Sequence, residues 1–228
     1  MLSDPTGSFP AMTEPAFLVA TRVAYDTVAA EYTVRVSGLL AAQPLDRAVL
    51  SAFAELVLAA GGGRVADLGC GPGQVTAFLN SLGLNAFGVD LSPTMIAVAG
   101  RLHPDLRFHV GSMLGLDLPD GVLGGIVAWY SIIHTPPEQL PALFDEFHRV
   151  LAPGGQLLLA FQVGDERVSL HHAYGHALSL DAYRLPPDQI ADLLTGAGFN
   201  IRATLLREPD EPEKVRQAYL MARRSWAP

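Results

Sequence analysis

Arg64-Val65-Ala66-Asp67-Leu68-Gly69-Cys70-Gly71-Pro72-Gly73-Gln74-Val75-Thr76 is the stretch from which the fold can be read. The apolar run Arg64 to Leu68 meets a loop with glycine at 69, 71 and 73, and a helical pattern follows at once. Val75, Phe78, Leu79 and Leu82 fall at i, i+3, i+4 and i+7, the spacing of one helix face. The segment therefore reads as strand, tight glycine turn and helix. Glycine lets such a turn take positive φ and bring its backbone close to a ligand. In open α/β sheets, a turn at the carboxyl end of a parallel strand is where nucleotide-like ligands bind. Asp90 closes the next predicted strand, Asn85 to Val89, and lies 21 residues beyond Gly69. At that distance a carboxylate can take both hydroxyls of a ribose.

The glycine spacing argues against a dinucleotide. Gln74 stands where Gly-x-Gly-x-x-Gly would place its third glycine, and Pro72 removes a backbone donor. A pyrophosphate wants many N–H groups at a helix start. Asp67 adds a negative charge that repels phosphate and attracts an amine or a sulfonium. The loop suits a nucleoside with a cationic or zwitterionic tail.

Outward from this segment the chain alternates strand and helix. Helical patterning runs from Phe17 to Leu58, with a break at Pro44 and an apolar stripe of Val49, Phe53, Leu56 and Ala60. Gly61-Gly62-Gly63 ends it. Ser92 can cap a helix that has Pro93 in its first turn. Strands are predicted at Arg107 to Val110 and Gly124 to Tyr130. Thr135 and Glu138 have capping-box spacing ahead of a helix carrying Leu140, Leu143, Phe144, Phe147 and Leu151. Pro153-Gly154-Gly155 turns into the strand Gln156 to Phe161. A helix from Pro187 to Gly196 and strands at Asn200 to Leu206 and Val215 to Ala222 complete the pattern. Such alternation gives an α/β fold with a mainly parallel sheet. Residues 164–185 break the rhythm on the side where parallel strands end, a place where insertions build pockets.

With 228 residues, half of them hydrophobic and 17% charged, the chain fits one domain with a substantial core. No apolar run has the length of a membrane span. The start carries no basic region or apolar segment of a signal peptide. One cysteine forms no internal disulfide, so a cytoplasmic location is expected. Net charge is −8, from 15 basic and 23 acidic residues. This disfavours nucleic acid as a partner. Residues 1–15 lack periodicity and are expected to be a mobile tail.

Val65-Ala66-Asp67-Leu68-Gly69-Cys70-Gly71-Pro72-Gly73 resembles the first motif of class I S-adenosylmethionine-dependent methyltransferases. Four further stretches resemble that family in order and near its spacing. They are Gly88-Val89-Asp90-Leu91-Ser92-Pro93-Thr94-Met95, Phe108-His109-Val110-Gly111-Ser112-Met113, Ile126 to His134, and Phe147 to Gly155. The resemblance covers about residues 20 to 222. It implies a Rossmann-like, mainly parallel seven-stranded sheet flanked by helices, with the last strand antiparallel and an N-terminal helical cover. Residues 16–228 would then form a single methyltransferase domain, with 164–185 as a substrate-side insertion.

The same resemblance implies a cofactor, S-adenosylmethionine, and its product S-adenosylhomocysteine. The loop Gly69, Cys70, Gly71 and Gly73 would hold the methionine part, with Asp67 near the amino group. Asp90, with Leu91 and Met95 behind it, would take the ribose. Many relatives have Asp where Ser112 stands, so adenine recognition would fall to Ser112 and the main chain at Met113 and Leu114. Tyr25 and Tyr32 lie in Tyr25-Asp26-Thr27-Val28-Ala29-Ala30-Glu31-Tyr32, which resembles the family's N-terminal segment, where tyrosines close over the cofactor. Tyr130, Ser131 and His134 would face the transferred methyl, and His134 is the candidate general base.

A sulfonium methyl is already activated, so the protein mainly aligns the nucleophile and excludes water. The nucleophile can be oxygen, nitrogen or carbon. In the insertion, His171, His172, Tyr183 and Arg184 are candidates for binding a small-molecule substrate. His172 and His176, four apart, could share a helix face, but no further metal ligand is evident and no metal is expected. Other uses of the site stay open: a binding protein that has lost transfer, a nicotinamide-dependent oxidoreductase, or a methyltransferase acting on a macromolecule.

Overall fold

The computed structural model describes residues 14–226. The expected tail, residues 1–15, lies outside the described residues except for its last two positions.

The predicted strand is β1 (Arg64–Leu68), and it pairs in parallel with β2 (Asn85–Asp90) on one side and β4 (Leu123–Trp129) on the other. β3 (Phe108–Val110) adds parallel to β2, and β5 (Leu151–Gln162) adds parallel to β4. β8 (Phe199–Arg207) and β9 (Gln217–Arg224) finish the sheet. Its order is β3-β2-β1-β4-β5-β9-β8, and β9 runs antiparallel to both neighbours. The chain moves one way from β1 to β3 and the other way from β4 onward. The sheet thus has its switch point between β1 and β4, where a crevice opens beyond the carboxyl ends of the strands.

Side chains alternate across the sheet with the two-residue period of a strand. Ala66, Leu68, Ile126, Ala128, Leu157 and Leu159 join one buried layer with Phe144 and Phe147 of α6 (Leu140–Val150) and Ile190 and Leu194 of α7 (Pro187–Gly196). Val65, Val127, Leu158 and Ala160 face the opposite layer, built by α3 (Pro44–Ala59) and α4 (Gln74–Ser81). With both faces covered, the central strands must be apolar at nearly every position. This is why Arg64 to Leu68 reads as a continuous run rather than an alternating one.

Three local expectations are corrected. The inward face of α3 is Val49, Leu50, Phe53, Ala54 and Val57. Leu56 is half-buried and Ala60 exposed, because the sheet selects a stripe rotated from the one predicted. Thr135 and Glu138 form no capping box: Thr135 is buried and closes a short 3-10 turn, Ile132–His134. A second turn, Pro137–Gln139, precedes α6, which starts at Leu140 with no side-chain cap. Pro136 is extended, with ψ of 141°, as a residue before proline prefers, and the Thr135 N–H already donates to the Ile132 carbonyl at 2.9 Å. Leu151, read as the end of that helix, opens β5 instead. The cap at Ser92 is present: its Oγ accepts from the Met95 N–H at 3.0 Å, ahead of α5 (Pro93–Leu102).

The insertion folds as a hairpin of β6 (Arg167–Ala173) and β7 (His176–Tyr183). Tyr174 and Gly175 make its turn with φ of 54° and 84°, the two positive values of a type I′ connection. His172 and His176 therefore sit on facing strands, not on a helix face. β7 packs against α1 (Ala16–Val36), and together they roof the crevice. A four-residue helix, α2 (Leu39–Ala42), links α1 to α3.

Gly88 of β2 has no room for a side chain. A Cβ there would meet Cys70 Sγ and Phe108 Cδ1, each at 2.6 Å. Gly88→Ala should cost about 1–3 kcal/mol by overpacking. In a domain of this size that lowers Tm by roughly 2–4 °C per kcal/mol, measurable by differential scanning calorimetry.

Candidate functional site

The glycine loop is shaped by backbone demands at two positions. Gly69 has φ +74°, and a Cβ on it would collide with the Cβ of Ser131. Gly71, at φ +52°, turns its N–H onto Asp90 Oδ2 at 2.8 Å. The other oxygen of Asp90 accepts from the Ser92 N–H at 2.8 Å. Burial pushes the Asp90 carboxyl up, and these two N–H bonds oppose the shift. Each oxygen keeps a lone pair for a hydroxyl.

Asp67 is 1% exposed. Its Oδ2 accepts from Thr76 Oγ1 at 2.6 Å, while Oδ1 has no partner. Burial, the largest effect, raises its pKa to about 7. A buried carboxylate oxygen left unpaired is costly, so this atom favours a cationic partner or a proton.

Ser131 follows β4 and ties the loop to it, its Oγ donating to the Leu68 carbonyl at 2.6 Å. Its neighbour Tyr130 is held at φ +53°, a conformation that costs a non-glycine residue about 1–3 kcal/mol. The Tyr130 N–H donates to Ala160 O at 2.8 Å, and its hydroxyl lies 3.4 Å from that of Tyr219. Tyr219 donates to the buried Asp46 at 2.6 Å and accepts from Arg207 Nε at 3.1 Å. This polar cluster fixes Tyr130 from behind.

His134 is enclosed on both nitrogens. Nδ1 lies 2.9 Å from the Asp181 carbonyl, which can only accept, so Nδ1 carries the proton. Nε2 then accepts from the Tyr25 hydroxyl at 2.8 Å. Burial lowers the His134 pKa, and the bond to Asp181 works against that shift. Tyr25 thereby joins α1 to the end of β4. Asp26 makes a second tie, accepting from Ser92 Oγ and from the Thr94 N–H.

These groups line one cavity. Of the residues predicted to hold a cofactor, Tyr25, Tyr32, Gly69 and Gly71 line it, as do Asp90, Leu91, Ser112, Met113, Leu114, Tyr130 and Ser131. His134 lines it too. Met95 is fully buried beneath it. Gly73 caps α4 against Phe108. Asp67 and Cys70 line an adjoining cleft instead. The Cys70 thiol is pushed well up by burial and is no nucleophile. Ser112 Oγ accepts from the Leu114 N–H at 3.2 Å, so that N–H is already engaged. Among the predicted substrate residues, Arg184 lines the adjoining cleft, Tyr183 packs on the core, and His171 and His172 are exposed on the hairpin.

Phe17, Leu18 and Thr21 of α1 also line the cavity, as do Val89, Gly111, Trp129 and Thr135. Sequence reasoning missed them. Leu18, Thr21 and Tyr25 stand at i, i+3 and i+7, so extending the tyrosine face by helical period would have found the first group. Among the described residues no three His, Cys, Asp or Glu side chains gather as a metal site, and no helix is long and apolar enough to cross a membrane.

Comparison with known proteins agrees with this architecture. A family model described as a methyltransferase domain matches residues 65–155. A demethylmenaquinone methyltransferase from Chlorobaculum parvum is 32% identical over 93 residues, covering 40% of this chain and 38% of the relative. An uncharacterized methyltransferase from Mycobacterium tuberculosis is 30% identical over 144 residues, 62% of this chain and 55% of the relative. The matched part thus spans about half or less of these curated relatives. Burkholderia thailandensis 1,6-didemethyltoxoflavin-N1-methyltransferase, solved with 1,6-didemethyltoxoflavin and S-adenosylhomocysteine bound, has the same fold. Its TM-score is 0.65 at 19% identity, over 95% of this chain and 93% of that one. Residues 65–155 thus match a methyltransferase domain, and the sheet around them has the fold of solved S-adenosylmethionine-dependent methyltransferases.

The enclosure of His134 has a spectroscopic consequence. Nitrogen NMR of the ring at pH 7 should show Nδ1 protonated and Nε2 bare, with titration only below the ordinary histidine pKa of about 6.5. A ring that is charged at neutral pH, or protonated at Nε2, would contradict the arrangement.

Proposed function

We propose that this methyltransferase moves a methyl group from S-adenosylmethionine to an oxygen, nitrogen or carbon of a small molecule. The observation that carries this reading is the cavity at the sheet's switch point. It runs from Asp90 past the glycine loop to Tyr130, Ser131 and His134. The residues fit the cofactor in charge as well as in shape. The unpartnered Oδ1 of Asp67 suits an ammonium group, Asp90 retains acceptor capacity for ribose hydroxyls, and two buried carboxylates disfavour the phosphates of a dinucleotide.

When bound, S-adenosylmethionine supplies a methyl on a positively charged sulfur. The chain's own work is to bind, orient and exclude water. Tyr25 and Tyr32 cover the cavity from α1, and Gly69 and Gly71 bring the backbone close. Ser112 and the Met113 main chain border the adenine end. Where the acceptor carries a proton, His134 is the general base. Its free electron pair is reached through Tyr25: the acceptor's proton passes to the Tyr25 oxygen while Tyr25 gives its own to His134 Nε2. The lowered pKa keeps that nitrogen unprotonated, and so able to accept, at neutral pH.

The roof supports a small-molecule acceptor. Residues 16–228 act as one methyltransferase domain, and α1 with the β6–β7 hairpin closes the cavity against a macromolecule. The names of similar proteins point the same way, since demethylmenaquinone and 1,6-didemethyltoxoflavin are small molecules.

Calorimetric titration tests the reading. S-adenosylmethionine and S-adenosylhomocysteine should bind, NAD should not, and Asp90→Ala should weaken both adenosyl ligands about a hundredfold through loss of hydrogen bonds to a charged group. Binding of NAD without either adenosyl ligand would overturn it. A pH series adds an independent check. Asp67 is protonated below about pH 7 in the free protein, whereas an ammonium partner prefers the carboxylate. Affinity for S-adenosylhomocysteine should therefore fall about tenfold from pH 7.5 to 5.5 and level off above 7.5. Asp67→Asn should flatten that slope.

A further inference from the structure

A second cleft adjoins the cofactor cavity. Tyr32, Gly69, Gly71, Trp129 and Tyr130 border both spaces, so the two meet at the strained Tyr130. On the far side stands Tyr174, in the hairpin turn. That turn position takes positive φ, which Asn or Gly adopts at lower cost than Tyr. The aromatic ring there lies edge-on to Tyr32, with centroids 5.7 Å apart. Tyr32, Trp129, Tyr130 and Tyr174 thus give the cleft aromatic walls.

Its charges are unequally matched. Asp46 accepts from Tyr219, and Asp210 and Glu213 both accept from Arg207. Arg35 and Lys214 have no ion pair among the described residues, against the exposed Glu211 and the buried Asp67, whose unpartnered oxygen is the one assigned above to the cofactor's ammonium. Arg184 is the most built of the bases. Its stem lies against Gly164, where a Cβ would come within 2.7 Å. Nη1 donates to Glu166 at 2.8 Å, and Nε is buried without a partner. The Nε and Nη2 edge of the guanidinium is left as a fork, the geometry that takes a carboxylate with two hydrogen bonds.

We infer that this cleft receives the methyl acceptor as a flat aromatic acid, with its ring among Tyr32, Tyr130 and Tyr174 and its carboxylate on the free edge of Arg184. The inference rests on the methyltransferase reading above and names the acceptor's chemistry. The aromatic walls hold the ring beside the opening at Tyr130, and Arg184 sets its direction. An acid anchored 54 positions along the chain from Tyr130 makes orientation depend on the hairpin as well as on the sheet.

Binding to the protein saturated with S-adenosylhomocysteine tests this without turnover. The probes are 4-hydroxybenzoate and 3-hydroxy-2-naphthoate, their neutral counterparts 4-methylphenol and 2-naphthol, and cyclohexanecarboxylate. The aromatic acids should bind at least tenfold more tightly than the neutral rings and the aliphatic acid. Arg184→Gln should erase the preference for acids and leave the neutral rings unchanged. Tyr174→Ala should weaken every aromatic probe. Both variants should keep wild-type affinity for S-adenosylhomocysteine, which shows that they fold. Equal binding of acids and neutral rings, equal binding of cyclohexanecarboxylate, or an unchanged preference in Arg184→Gln would each overturn the inference. Failure of the wild type to bind S-adenosylhomocysteine would instead overturn the methyltransferase reading.

Discussion

The contact between Gly69 and Ser131 is the constraint on which the site depends. The chain leaves β1 and β4 at the one place where the sheet's winding reverses, and the two exits must pass each other there. They do so only because Gly69 has no Cβ and because Ser131 donates to the Leu68 carbonyl across the gap. The same glycine donates its N–H to the Val89 carbonyl of β2 at 2.7 Å. Three strand ends are thereby fixed within a few ångströms, and the side chains just past them, Asp90, Tyr130 and Ser131, inherit that placement. Positive φ at Gly69 and Gly71 is the local form of this global requirement.

Behind the site the protein holds acids and strain that a fold alone would not select. Asp67 leaves one oxygen unpaired in the core, and Tyr130 sits in a backbone region that a tyrosine ordinarily avoids. Each carries a cost of a few kcal/mol at most, tolerable in a molecule with two continuous apolar layers. The Asp46–Tyr219–Arg207 cluster shows how one such feature is held. It anchors the Tyr130 hydroxyl from α3, β9 and β8 at once, so the backbone twist at the end of β4 is over-determined from the opposite side of the sheet.

The roof works by a different logic. α1 is tied to the rest of the site by a small number of polar contacts: Tyr25 to His134 beyond β4, Asp26 to Ser92 and Thr94 at the start of α5, and Glu31 to His176 of the hairpin at 3.4 Å. His134 links α1 to the hairpin as well, through the Asp181 carbonyl. Cover, hairpin and strand end therefore share one histidine. Because Nδ1 serves the hairpin, the electron pair on Nε2 is directed to the Tyr25 hydroxyl of α1, and histidine and cover become one hydrogen-bonded unit.

Much of this was written in the sequence. The run Arg64 to Leu68, the glycines after it and Asp90 at the end of the next strand are local features whose physics is complete within a few residues. They settled the strand–turn–helix unit and the parallel α/β class, and they supply several of the residues that line the cavity at the switch point. The antiparallel last strand came from resemblance to a family, since periodicity carries no strand direction. What only the tertiary structure decided involves partners distant in the chain. The inward stripe of α3 was set by the sheet it packs on, and Thr135 was drawn into the core instead of capping a helix. The insertion paired with itself as a hairpin, leaving His171 and His172 outside and Arg184 in the cleft. The roles of His134 were hidden for the same reason. Its nitrogens meet Tyr25 and Asp181, 109 and 47 positions away, and a hydrogen bond across such a separation exists only once the chain has folded.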